Sequence, residues 1–331
     1  SIQVVSSSIA FDADGNLWLT DAGNNRVLRY TAADVSGSAG RAGIGADLVL
    51  GQPDFQSRTG AGNNTRATKT KLIQPGALAF DKSGDLCVAD DLGRVIVYQP
   101  PFASNQTAKR ILGLVPSADG QTAPAIVSAT SFGLVATGVD KYNYSQPIGI
   151  FAVEDDLFVS DSANHRILRY GPMSSWAEET AAAPSPAAES VYGQADFSSN
   201  QANAGITLEP TPSTFALPAG AAYFNGELYL ADSGNNRVLV LPYDTASKQL
   251  APATRLLGQL DYSFNSPNLI EGREFAPGEI RLLLSSGQIA TVNVGPAIAI
   301  DTTSETPRLY IADTGNNRIL GYADARKVKF G

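Results

Sequence analysis

The chain has 331 residues, 43% of them hydrophobic and 17% charged, a composition that excludes an intrinsically disordered protein. Its 32 Asp and Glu residues outweigh 24 Lys and Arg residues for a net charge of −8, and no basic run offers a face to nucleic-acid phosphates. A single Cys and a single His exclude an intramolecular disulfide and a multi-histidine zinc centre, and no apolar stretch is long enough to span a membrane.

Five similar segments follow one another along the chain. They read LWLTDAGNNRVL at 17–28, LCVADDLGRVI at 86–96, LFVSDSANHRIL at 157–168, LYLADSGNNRVL at 228–239 and LYIADTGNNRIL at 309–320. The first aspartates of successive segments lie between 69 and 81 residues apart. Such a period indicates a repeat architecture.

Each segment contains two short apolar runs and is flanked by two more. The run before it ends in a turn such as Asp14-Gly15 or Ser83-Gly84, and the run after it ends at a glycine. Four short antiparallel strands in every unit predict an all-β fold, a β-propeller of four-stranded antiparallel blades. We expect five blades, with six as the alternative, in a single domain over residues 1–331. One helix is predicted at 174–183, ended by Pro184.

The Asp-x-Gly-Asn-Asn/His-Arg-Ile/Val segments resemble the NHL-repeat family of β-propellers. The second unit departs from the pattern, because its turn over 90–94 is one residue shorter and lacks the Asn pair. Three further segments, at 51–55, 193–197 and 258–262, share the pattern Gly-Gln-x-Asp-Phe/Tyr and are similar to a longer-unit bacterial branch of that family. The resemblance implies a scaffold for molecular interactions.

Residues that recur in every unit are interpreted as structural, because a functional site usually breaks the symmetry of a repeat. The Asp and Arg of the motif belong to this class: Asp21, Arg26, Asp90, Arg94, Asp161, Arg166, Asp232, Arg237, Asp313 and Arg318. Cys87 occupies the position of Trp18 and is interpreted as a packing residue. His165 occupies the position of Asn25 and is interpreted as a turn residue. No catalytic residue and no metal ligand is predicted.

Four long connections, 52–74, 114–146, 194–217 and 259–295, join the last strand of one unit to the first strand of the next. In an antiparallel blade they lie at the same end as the motif turns, and the opposite end is expected to carry short connections. Long loops with aromatic residues and Arg are typical of binding surfaces. The ligand-binding residues predicted on this long-loop face are those that do not recur: Tyr142, Tyr144, Phe264, Arg273 and Arg66.

These observations predict a non-catalytic propeller, secreted or periplasmic, that binds a protein, peptide or glycan through its long-loop face. It is expected to need no cofactor, to bind no nucleic acid and to span no membrane. One alternative is a calcium-dependent propeller hydrolase, lactonase or lyase with an axial metal, which would need Asp54, Asp196 and Asp261 to reach the axis. A second alternative is a structural module of a larger surface protein.

Overall fold

A computed structural model describes residues 8–37, 43–61, 68–113, 128–130, 149–206, 209–267, 275–276, 279–283, 289–293 and 297–328. Two compact units divide the chain. One unit, here the N-terminal unit, consists of Val5–Phe158 and Arg169–Glu189. The other, the C-terminal unit, consists mainly of Val159–Leu168 and Ser190–Gly331, so that the division passes through the third sheet.

The N-terminal unit contains two complete antiparallel sheets, each with its strands in chain order. Strands of the first sheet are β1 (Ile9–Phe11), β2 (Leu17–Asp21), β3 (Arg26–Tyr30) and β4 (Leu48–Leu50). Strands of the second are β5 (Ala77–Phe80), β6 (Leu86–Asp90), β7 (Arg94–Tyr98) and β8 (Arg110–Leu112). In both sheets the motif aspartate pairs in register with the motif arginine across the turn between the second and third strands.

Strands of the third sheet are β9 (Gly149–Val153), β10 (Asp156–Asp161), β11 (Arg166–Tyr170) and β12 (Ser190–Tyr192). The fourth, in the C-terminal unit, contains β13 (Pro218–Phe224), β14 (Glu227–Asp232), β15 (Arg237–Asp244), β16 (Gln249–Leu250) and β17 (Arg255–Leu257). A separate hairpin joins β18 (Glu279–Leu283) to β19 (Ile289–Asn293). The fifth sheet contains β20 (Ile298–Asp301), β21 (Arg308–Asp313) and β22 (Arg318–Tyr322).

The five sheets are the five blades of a β-propeller arrangement, and the predicted fold class is confirmed. Two details differ from expectation. Strand β15 extends to Asp244, where it pairs with the additional short strand β16, and the long connection 259–295 contains the β18–β19 hairpin. The last residues of the predicted fourth strand of the fifth blade, 329–331, lie outside the described residues.

The middle strands show why continuous apolar runs were needed. Every residue of β6, β7 and β11 is buried, including both faces of each strand. A strand that alternates polar and apolar residues would place polar side chains on one of these faces, where burial without a partner costs free energy. The apolar runs therefore specify strands that are packed on both sides.

The first and fifth sheets expose apolar side chains at positions that are buried in other sheets. Ile9 and Phe11 on β1 are 66% and 57% exposed, whereas Leu78, at the position of Ile9 in the second sheet, is buried. On the fifth sheet Ile319 is 74% exposed, whereas Val238 at the same position in the fourth sheet is buried. Equivalent side chains thus contribute different amounts of apolar burial.

This difference predicts unequal costs for two equivalent truncations. Val238→Ala should lower the free energy of unfolding by about 2 kcal/mol, because it leaves a cavity in a packed sheet. Ile319→Ala should cost less than about 0.5 kcal/mol, because the side chain is already in water. Urea unfolding of the two variants measures both values. Equal costs would mean that the exposed face of the fifth sheet is covered in solution.

The predicted helix at 174–183 is wrong. Residues Met173–Ser175 form one 3₁₀ turn, and the backbone groups of Thr180 and Ala183 then bond to each other across a tight turn. The described α-helix is instead α1, Ala32–Gly37, between β3 and β4. Its signal was Thr31-x-x-Asp34, because the Thr31 hydroxyl accepts the Asp34 amide and donates to its carboxylate.

Candidate functional site

The motif residues form an ion pair within each blade. The Arg Nε lies 2.7 to 2.8 Å from the Asp carboxylate in the first, third, fourth and fifth blades. The shorter turn of the second blade keeps the pair, with Arg94 Nη2 2.9 Å from Asp90, because Gly93 takes a positive φ there. The geometry supports the structural interpretation of the ten recurring residues, which remains a prediction.

The Gly-Gln-x-Asp-Phe/Tyr segments fasten the long connections to the motif turns. Gln52 donates both to the Asn25 carbonyl and to the Thr59 carbonyl, and Gln194 and Gln259 repeat this bridge. The motif arginine donates to the carbonyl of the aromatic residue in three blades, at Phe55, Phe197 and Tyr262. These three segments are therefore part of the blade framework.

The aspartates of the same segments accept hydrogen bonds from their own loops. Asp54 Oδ1 accepts the amides of Gln56 and Ser57, and Asp196 and Asp261 accept groups two to three residues onward in the same way. These bonds hold the pKa of each of the three carboxyls below its usual value. The carboxylates that the calcium alternative requires are thus engaged in turns of the long connections.

His165 takes the structural role that asparagine has in the equivalent turns of other blades. It adopts the left-handed conformation that Asn25, Asn236 and Asn317 adopt at the same turn position. Its Nδ1 accepts the Leu217 amide at 3.0 Å, and in the first blade Asn25 Oδ1 accepts the Gln74 amide at 2.9 Å. An acceptor Nδ1 places the ring proton on Nε2. This geometry supports a turn role for the single histidine.

A pH dependence follows from this bond. Desolvation lowers the pKa of His165, so the neutral ring stabilises the fold above the unfolded value of about 6.5. The stabilisation is lost as the pH falls through the lower folded pKa, because a protonated Nδ1 cannot accept the Leu217 amide. We expect His165→Asn to lose less stability than the wild type between pH 7 and pH 5. If thermal melts gave the same change of melting temperature between pH 7 and pH 5 for the variant and the wild type, this assignment would be wrong.

Most of the residues predicted to bind a ligand lie outside the described residues: Arg66, Tyr142, Tyr144 and Arg273. Phe264 is described, and its ring is 39% exposed in the connection after β17. An exposed aromatic side chain is compatible with ligand contact. Its role remains a prediction.

A cleft of about 410 Å³ lies at the other end of the second and third blades, within the N-terminal unit. This end, called the hairpin end below, carries the turns between first and second strands and those between third and fourth strands. The expectation that it has only short connections is wrong, because the connection 171–189 lies here and contributes to the cleft. Carboxylates and basic side chains both line the cleft: Asp81, Asp85, Asp155, Lys109 and Arg110.

Asp81 differs from its equivalent in the first blade. There, Asp12 accepts hydrogen bonds from the Asn16 amide group and the Trp18 indole, and its pKa is lowered despite partial burial. In the second blade Asp85 and Cys87 occupy these two positions and supply neither donor. Desolvation, together with repulsion from Asp85 and Asp155, raises the pKa of Asp81 to about 6.

Arg110 also differs from its equivalent, Arg255 in the fourth blade. Arg255 donates to Glu227, to the Tyr229 hydroxyl and to backbone carbonyls at Ala325 and Val328. Arg110 is only 8% exposed, yet its buried Nε has no hydrogen-bond partner. Its guanidinium stacks on Trp176, and Glu179 lies 3.8 Å from Nε but already accepts Lys69. A buried donor without a hydrogen-bond partner is costly, so Arg110 lacks part of the stabilisation that its partners give to Arg255.

The described residues contain neither a metal-ligand cluster nor a membrane-spanning helix. Among the described residues, no three His, Cys, Asp or Glu side chains are grouped so that they could hold a metal ion. Within the same residues, no helix has the length and apolarity that crossing a bilayer requires.

Comparison with protein families identifies the repeat. The NHL repeat model matches residues 215–241, which include β14 and the motif turn of the fourth blade. The fourth blade of this β-propeller is an NHL repeat. The other four blades carry the motif Asp and Arg at the same positions, with a shorter turn in the second blade, and the bacterial branch of the family remains a prediction. No curated protein matches the sequence.

Solved structures resemble this β-propeller only distantly. A streptogramin B lyase has 13% identity and a TM-score of 0.43, with 92% of this chain and 74% of the lyase covered. An auxiliary nutrient binding protein from Bacteroides ovatus has 13% identity, a TM-score of 0.45 and coverages of 95% and 58%. A periplasmic gluconolactonase from Pseudomonas aeruginosa has 14% identity, a TM-score of 0.43 and coverages of 96% and 81%. Likenesses this remote carry no argument about the ligand or the chemistry of this chain.

Proposed function

We propose that the protein is a non-catalytic binding propeller that holds a peptide, protein segment or glycan in the cleft at its hairpin end. The observation that carries this proposal is the lining of the cleft, where three carboxylates meet Lys109 and an Arg110 that lacks the full set of partners of its fourth-blade equivalent. A functional site breaks the symmetry of a repeat, and this arginine stands where the first blade has Leu48 and the fourth has the fully paired Arg255.

The remaining parts of the prediction extend this proposal. The long-loop face, with Phe264 exposed on it, is a second surface on which a macromolecular ligand could extend. A secreted or periplasmic location and the absence of a cofactor are part of the proposal. The acidic chain supports a partner other than nucleic acid.

The test is a thermal-shift screen of amino acids, dipeptides, monosaccharides and disaccharides against the wild type and Arg110→Leu. Leucine is the residue of the first blade at this position, so the variant should keep the strand. We expect at least one compound to raise the melting temperature of the wild type and to lose that effect in Arg110→Leu. Arg308→Leu, which removes an exposed arginine from the fifth blade, is the matched control and should respond like the wild type. A screen in which no compound gives an Arg110-dependent shift would refute the proposal.

A further inference from the structure

Two groups of charged side chains in the cleft lack full partners in the protein: the carboxylates and the basic residues. Asp81 lacks the side-chain donors that its first-blade equivalent has, and Asp85 and Asp155 add negative charge beside it. Each of these carboxylates already has a neutral partner in the protein. Asp81 Oδ1 accepts the Asp85 amide, Asp155 accepts the Ser83 hydroxyl, and Asp85 bonds to the Gln99 side chain. Neutral donors do not cancel the negative charge of the group, and the one nearby ammonium that attracts Asp155 among the described residues, that of Lys82, is already paired with Glu154.

The basic side chains of the cleft do not supply the missing charge. Arg110 stacks on Trp176, 5.5 Å from the ring centroid, and its nearest carboxylate is Glu179. Lys109 is exposed and makes no ion pair with a carboxylate among the described residues. Arg110 thus has only a long ion pair with Glu179, whereas the three carboxylates of the cleft, called the acidic wall below, form no ion pair among the described residues. Both groups lie within one cleft of about 410 Å³, a volume in the range of small-molecule sites.

We infer that the ligand of this cleft is a small zwitterion, an amino acid or short peptide, whose ammonium group binds Asp81 and Asp155 and whose carboxylate binds Arg110 and Lys109. This inference rests on the proposed function and selects the peptide class from its candidates. A sugar hydroxyl would meet the hydrogen-bond demand, but it would leave the repulsion among the three carboxylates uncompensated. An ammonium group meets both demands, and charge-assisted hydrogen bonds are the stronger kind.

The carboxyl group of Asp81 also makes binding depend on pH. Its pKa of about 6 means that only about a tenth of the Asp81 side chains are ionised at pH 5 in the free protein. The charged groups that act on it are Asp85 and Asp155, while Lys109 and Arg110 line the same cleft and the pair Lys82–Glu154 joins the two turns nearby. An ammonium ligand should therefore bind about tenfold more weakly at pH 5 than at pH 7.

Five probes separate the ligand classes in isothermal titration calorimetry: L-lysine, L-glutamate, cadaverine, glutarate and glucose. We expect the two amino acids to bind at least about tenfold more tightly than cadaverine, which lacks a carboxylate, and glutarate, which lacks an ammonium group. Glucose binding that depends on Arg110 would overturn the zwitterion but leave the proposed function standing. Equal affinities of L-lysine and cadaverine would also overturn it. No Arg110-dependent binding in the calorimeter or in the wider screen would overturn both.

Two variants test the acidic wall. Asp81→Asn keeps the shape of the side chain and removes its charge, and it should raise the dissociation constant of L-lysine at pH 7 at least about tenfold. It should also abolish the weakening between pH 7 and pH 5. Asp85→Asn places an amide where the first blade has Asn16, so that it can donate to Asp81, and should weaken L-lysine as well. If the dissociation constant of L-lysine were unchanged in both variants, and both had the melting temperature of the wild type, the inference would be wrong.

Discussion

Arg237→Met should lower the free energy of unfolding by about 3–5 kcal/mol, the largest effect expected of a substitution in the motif. Arg237 and Asp232 are fully buried, and the guanidinium also donates to the carbonyls of Thr211, Thr214 and Tyr262. Burial raises the pKa of Asp232, and Arg237 opposes that shift. Without the arginine, the aspartate would be buried without a counter-charge.

Arg26→Met is the matched control in the first blade. The pair Arg26–Asp21 has the same geometry, but its side chains are 16% and 23% exposed, so water can solvate the aspartate after the change. We expect a loss of about 1 kcal/mol, as for a partly exposed ion pair. Urea unfolding gives both losses in the free energy of unfolding, provided that the two variants have the same dependence on urea concentration as the wild type. Equal losses in the two variants would show that burial does not control the contribution of the motif pair.

Gly193→Ala should lower the free energy of unfolding by about 3 kcal/mol, for two reasons that add. Gly193 ends β12 with φ of +88°, a conformation that alanine adopts only with strain. An added Cβ would also lie 2.3 Å from Cδ2 of the buried Phe215 ring, so the ring or the backbone would have to move. The glycines that follow the fourth strands of the first, third and fourth blades, Gly51, Gly193 and Gly258, therefore make room for an apolar residue that leads into the next blade.

Gly226→Ala separates the two causes. Gly226 has φ of +81°, but nothing lies within 4 Å of its added Cβ, so only the backbone strain remains and the cost should be about 1 kcal/mol. Adding Phe215→Ala to Gly193→Ala should give a loss smaller than the sum of the single losses, because the clash is removed. If the two losses were additive, backbone strain alone would account for the cost of Gly193→Ala.

The framework of this fold could be predicted from the sequence because it repeats. Asp232, Arg237 and the glycine that ends each fourth strand recur at fixed positions, and their recurrence reflects contacts that every blade must make. The same reasoning placed His165 among the turn residues, and its bond to Leu217 has the geometry of the asparagine bond. Local turn chemistry was therefore sufficient for these residues.

The candidate site could not be predicted in this way. It depends on side-chain donors that are missing at Asp85 and Cys87, and on a hydrogen-bond partner that Arg110 lacks. Cys87 was interpreted only as a packing residue, although replacing the indole of Trp18 also removes a donor from the neighbouring aspartate. Arg110 belongs to a short apolar run that predicts a strand. The available signal of a functional role was the charge of Arg110 at a position where the first blade has Leu48. The predicted helix at 174–183 lies in the connection 171–189, and the contribution of this connection to the cleft depends on packing that no local pattern encodes.

Hydrogen–deuterium exchange with L-lysine locates ligand binding along the chain. We expect slower exchange in the segments around the cleft, at 81–85, 99–110 and 171–176, and no change in the long connections 52–61 and 194–206. We also expect Arg110→Leu to remove the protection. Protection confined to the long connections, with the cleft segments unchanged, would contradict this prediction and return the binding site to the long-loop face.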